Sequence, residues 1–121
     1  YDAGYFYAPT IVTGVHPDSS LLSREVFGPV LPVMCVPDLE TAIRNANNTR
    51  FGLGASVWTN DLSVAREVFS RVRAGMVWVN HHLSLPPEIP FGGVKASGIG
   101  RENGTQALAS YTRTRTLFIG G

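Results

Sequence analysis

The apolar positions of the chain change period several times, and each change marks an element. Residues 30–36, "VLPVMCV", form a nearly continuous apolar run of strand length, with Pro32 best tolerated at an edge or bulge. Asp38 then stands as an N-cap, and Leu39, Ala42, Ile43 and Ala46 follow at helical spacing until "NNTRFGLG" ends the helix. A second strand is predicted over residues 55–59, "ASVWT". Asn60 or Asp61 caps the next helix, which places Leu62, Ala65, Phe69 and Val72 on one face and Val68 on the margin of the stripe. Ala74 and Gly75 stop it, and "MVWVN" at 76–80 predicts a third strand. Val77 and Val79 are its expected core residues, each worth about 1.5–3 kcal/mol when buried.

Strand, helix, strand, helix, strand, with connections long enough for parallel crossovers, predicts an α/β fold. Continuous rather than alternating apolar strands point to one parallel sheet with helices on both faces. After Asn80 the character changes. "HHLSLPPEIPFGGVKASGIGRENG" is a long proline- and glycine-rich loop leaving the end of a parallel strand, where open α/β sheets place their ligands. A short helix is expected over 105–111, with Ala107, Leu108 and Tyr111 inward. "TRTRTLFI" then reads as a terminal strand with Arg113 and Arg115 on one face, an edge that wants pairing.

Composition narrows the class. The 121 residues suffice for one modest core, and a net charge of +1 with 44% hydrophobic residues argues against disorder and against electrostatically driven nucleic-acid binding. No apolar run approaches the roughly 20 residues that a membrane-spanning helix needs. A first residue of tyrosine, with no leader pattern after it, is expected of a piece of something longer. The single cysteine, Cys35, excludes an intrachain disulfide and points to a reducing compartment, the cytoplasm.

Cys35 lies inside "VMCV" with no base nearby, and a buried, inert thiol is expected. His81 and His82 stand together at a strand end, without Cys, Asp or Glu at ligand spacing, so a pocket-lining or solvent role outweighs a metal. Gly98, Gly100 and Gly104 miss the dinucleotide fingerprint by one residue, and glycines permitting a tight loop suffice. Lys95 and Arg101 read as surface or loop-anchoring cations. Glu25 and Phe27, in "EVFGPV", are different, because they sit where the chain enters an apolar strand. A carboxylate there accepts hydrogen bonds from paired hydroxyls, and a ring beside it covers a flat ligand. The competing reading is a solvated Glu25 and a core Phe27.

Taken in order, "GYFYAPTIV", "REVFGPVLPV", "NNTRFGLGASVWTND", "AGMVWVN", "PFGGVKASGIGRENG" and "YTRTRTLFI" resemble the C-terminal part of the aldehyde dehydrogenase superfamily over essentially the whole chain. The resemblance implies that residues 1–111 are the later part of the catalytic α/β domain and 112–121 the last strand of an oligomerisation arm. It implies an NAD or NADP cofactor, with Glu25 on the nicotinamide ribose hydroxyls and Phe27 beside the nicotinamide. It further implies an aldehyde tunnel walled by Leu85 and Phe91, with His81 a contributor, and a homo-oligomer, dimer or tetramer, joined through the terminal strand.

The family's reactive cysteine, general-base glutamate and oxyanion-hole asparagine lie upstream of the matching segments, and Cys35 matches none of them. In the intact family enzyme a thiolate attacks the aldehyde, the resulting thiohemiacetal passes hydride to NAD(P), and water releases the acid. This chain alone is therefore expected to be inactive. A CoA-acylating semialdehyde dehydrogenase and a non-catalytic binding or assembly module of the same fold are the alternatives.

Overall fold

The computed structural model describes residues 3–121. The chain divides into two compact units, Tyr1–Thr49 and Arg50–Gly121. In the first, β1 (Thr10–Val12) pairs in parallel with β2 (Val30–Pro32), Thr10 opposite Val30 and Val12 opposite Pro32. Val33 donates its N–H to the Val12 carbonyl at 2.8 Å, and pairing ends there. The strand expected over 30–36 thus stops early, at the proline that cannot donate to a ladder. Cys35 lies beyond it and is exposed, which corrects the expectation of a buried thiol.

A short helix, α1 (Ser20–Ser23), separates the two strands, capped by Ser19 Oγ accepting from Leu21 N–H at 3.3 Å. Helix α2 (Leu39–Asn47) begins where expected, because the Asp38 carboxylate accepts the Thr41 N–H at 2.7 Å and satisfies a donor that has no partner inside the helix. Ile43, 4% exposed, is the buried hydrophobic residue among the described residues of this unit.

In the second unit β3 (Gly54–Val57) pairs in parallel with β4 (Met76–Val79), joined through α3 (Leu62–Arg71). Asp61, not Asn60, caps α3, accepting from both the N–H and the hydroxyl of Ser63. Ala65 and Val68 are buried, whereas Leu62 and Phe69 are 64% and 68% exposed. The inward stripe is therefore 65–68–72, and the expected pair 62/69 lies about 80° round the helix from it at 3.6 residues per turn. On β4 the buried residue is Trp78, 8% exposed, while Val79 faces out and Val77 is half-buried. The valines named as core from sequence give way to the larger ring between them.

The single three-stranded sheet expected from sequence is instead, among the described residues, two two-stranded parallel sheets, because the strand at 30–32 pairs with 10–12. The sequence reading missed β1, a three-residue strand directly after Pro9. The α/β class and the parallel pairing hold.

Beyond β4 the chain runs through a long loop with one 3₁₀ turn (Lys95–Ser97) to α4 (Gly104–Tyr111). Leu108 and Tyr111, expected inward, are exposed, and Ala107 is half-buried. Residues 112–121 form no strand, and Leu117, Phe118 and Ile119 all face solvent. The expected terminal strand has no strand to pair with among the described residues, so no ladder forms. Among the described residues no helix is long and apolar enough to cross a membrane.

Candidate functional site

Two places in the molecule carry the chemistry singled out from sequence, one in each unit. In the first unit, α1 closes with the Arg24 N–H on the Ser20 carbonyl at 2.9 Å, and the chain then leaves regular structure through Glu25, Val26 and Phe27. Gly28 turns it into β2, its carbonyl accepting the Val30 N–H at 2.8 Å. Glu25 is exposed and has no hydrogen-bond or ion-pair partner among the described residues. Phe27 is 94% exposed, so the reading that made it a core residue fails. A carboxylate with all its acceptor sites unused and a ring facing water suit a ligand that offers paired hydroxyls and a flat face.

In the second unit the loop after β4 is tied down residue by residue. Asn80 adopts a left-handed backbone, φ 52°. Its side-chain amide accepts the Thr59 N–H and donates to the Thr59 carbonyl, both at 2.8 Å. Leu83 is also left-handed, φ 57°. Between them His82 Nδ1 lies 2.7 Å from Ser56 Oγ, and its ring meets Trp78 edge-on at 5.6 Å between centroids. The Trp78 indole N–H donates to the Ser84 carbonyl at 2.8 Å.

Further along, Phe91 and Glu102 exchange both backbone hydrogen bonds at 2.7 Å. The Arg101 guanidinium donates to the carbonyls of Gly93 and Gly100, so of the two readings left open by sequence, surface or loop-anchoring, the second holds. Close glycine packing completes the structure. A Cβ on Gly75 would overlap the Gly92 carbonyl, and one on Gly52 would lie 2.6 Å from the Arg73 carbonyl oxygen.

Of the three residues placed on the substrate side, Phe91 lines an open hollow of about 760 Å³ together with Leu53, Ile99, Arg101, Asn103 and Tyr111. Leu85 and His81 do not line it; both are exposed. His82, not the His81 named from sequence, makes the specific contacts. The signal for it lay in the register. Ser56 stands opposite Trp78 in the parallel pair, so both project from one face, and a histidine returning to that face meets both. Among the described residues no three His, Cys, Asp or Glu side chains group as a metal site requires.

The sequence profile described as "Aldehyde dehydrogenase family" matches residues 1–117, and the chain belongs to that family. It is 49% identical over 117 residues to phenylacetaldehyde dehydrogenase of Pseudomonas fluorescens, covering 96% of this chain and 23% of that protein. Among solved structures, a variant of aldehyde dehydrogenase from Bacillus cereus superposes with a TM-score of 0.89 at 42% identity, covering 93% of this chain and 23% of that one. Betaine aldehyde dehydrogenase of Staphylococcus aureus, in complex with NAD+, matches with a TM-score of 0.84 at 36% identity, over 88% of this chain and 21% of that one. The chain spans about a quarter of the length of the curated relatives it matches.

Proposed function

We propose that this chain is the C-terminal part of the catalytic domain of an NAD(P)-dependent aldehyde dehydrogenase, acting in the cytoplasm, and that Glu25 and Phe27 orient the cofactor. The observation that carries this reading is the solvent-facing pair itself: an unpartnered carboxylate and a bare phenyl ring at the turn into β2. Glu25 accepts the paired ribose hydroxyls, and Phe27 lies against the nicotinamide. When bound, NAD(P) supplies the hydride acceptor. Holding that ring in register matters, because a misplacement near 1 Å costs about 100-fold in rate.

On the substrate side, Leu85 and Phe91 wall the aldehyde's path and His81 stands at its margin. Apolar walls favour a hydrophobic aldehyde, and the phenylacetaldehyde dehydrogenase among the relatives supports that class. The full enzyme is proposed to form the acid through a cysteine thiohemiacetal, with that cysteine outside this chain, because Cys35 does not match the family's reactive cysteine and has no base nearby in sequence. Residues 112–119 are proposed to pair as a strand with another subunit. The exposed Leu117, Phe118 and Ile119 support this.

Two assays test the reading. The 121-residue chain alone should form no NADH with any aldehyde, while the protein carrying it behind a cysteine-bearing catalytic segment should do so, with acid released in the absence of CoA. Turnover by the chain alone, or none by the longer protein, refutes it.

A further inference from the structure

The loop after β4 is held more firmly than its composition requires, and the way it is held singles out one residue. Two non-glycine residues in left-handed conformations, Asn80 and Leu83, flank His82. Asparagine adopts such a backbone readily, but for leucine it is strained and persists where the surroundings over-determine it. Here the surroundings are the Thr59 backbone just past β3 and the Ser56 and Trp78 side chains of the two strands. Asn80 is fixed twice to Thr59, the His82 ring to Ser56 and Trp78, and the Ser84 carbonyl to the Trp78 indole. Ser56 and Trp78 are register partners, so both contacts of the His82 ring come from one face of β3–β4.

The next residue along is Leu85. Phe91 is held separately, by its own backbone exchange with Glu102. The His82 contacts therefore govern the Leu85 end of the loop and not the Phe91 end.

We propose that His82 is a positioning residue for the substrate side of the site: its hydrogen bond with Ser56 and its edge on Trp78 set the path of residues 83–85, and so where Leu85 meets the aldehyde. The substrate part of this inference rests on the proposed aldehyde dehydrogenase function; the loop part does not. The bond suits either ring state. A neutral ring accepts from the Ser56 hydroxyl or donates to it, and a protonated ring donates.

The test uses the full protein that carries this chain, with Ser56→Ala, His82→Phe and His82→Asn. Ser56→Ala and His82→Phe should each raise the KM for a hydrophobic aldehyde about fivefold and leave kcat and the cofactor KM within about twofold. Amide exchange across 81–85 should quicken about tenfold while that of 91–94 stays unchanged. His82→Asn, which keeps a hydrogen-bonding atom near the position of Nδ1, should return both readouts toward those of the unsubstituted protein. Unchanged exchange across 81–85 in both variants overturns the proposal. So does faster exchange spread over α3 and β3 with all kinetic constants falling together, since that marks a general fold defect. If the unsubstituted protein oxidises no aldehyde, the enzyme reading fails and the exchange measurement alone decides the role of His82.

Discussion

Gly28 and Gly75 both stand one residue or two before a strand, yet a methyl group added to each would meet different surroundings. At Gly28 the nearest atom is Val26 Cγ1 at 3.8 Å; at Gly75 the methyl would overlap the Gly92 carbonyl. The same contrast runs through the two units. In Arg50–Gly121 the motif residues answer to one another: glycines admit close backbones, Arg101 caps loop carbonyls, and Asn80 closes on Thr59. In Tyr1–Thr49 the acid and the ring of "EVFGPV" answer to nothing within the described residues. The first pattern is explained by the folding of this chain. The second has no explanation in the folding of the described residues, and under the proposed function the cofactor supplies it.

The largest effect expected of that contrast comes from placing alanine at each glycine. Gly75→Ala should cost more than about 4 kcal/mol, the exceptional range for one substitution, whereas Gly28→Ala should stay within about 0.5 kcal/mol. Urea unfolding of the two variants reads this directly, and equal losses would erase the distinction. Trp78→Ala comes next, at about 3–5 kcal/mol, because it empties the most enclosed part of β4 and releases the Ser84 carbonyl. Phe27→Ala, by contrast, removes a ring that is already in water and should leave the unfolding midpoint where it was.

Asn80→Ala should cost about 1–3 kcal/mol, from two lost hydrogen bonds and a left-handed backbone that alanine tolerates poorly. Asn80→Gly should recover the backbone part. A thermal unfolding series separates the two contributions.

The smallest effect lies in the acid range. The Asp38 carboxyl is held below the ordinary 3.8 chiefly by the Thr41 backbone N–H, and Asp61 by the Ser63 hydroxyl and N–H. A folded pKa below the unfolded one gives stability that is present above about pH 3.8 and lost as pH falls through the lowered values. Asp38→Asn and Asp61→Asn should each flatten that part of the stability profile. Both caps are at the surface, so the change should be small in either unit.

How much of this was legible in sequence divides along the same line. Elements with a local rule were found: Asp38 names the first residue of α2, the choice between Asn60 and Asp61 brackets that of α3, and β4 follows its apolar run. Where the outcome depends on distant partners, sequence pattern failed. It could not pair β2 with a three-residue strand at 10–12, nor choose Ala65 and Val68 over Leu62 and Phe69 as the buried face of α3. Glu25 and Phe27 stood out in sequence as an acid and a ring before an apolar run, but only the family resemblance gave them a role. His82 was hidden behind His81, since adjacent histidines are told apart only by the face each reaches, and two left-handed residues decide that here.

Whether the Glu25 carboxylate faces a ligand decides the proposed function. In the full protein that carries this chain, the KM for the nicotinamide cofactor should rise about tenfold or more on Glu25→Gln, the loss of charge-assisted hydrogen bonds to hydroxyls, with the melting temperature unchanged. An unaltered cofactor KM, or a rise accompanied by a matching loss of thermal stability, would contradict it.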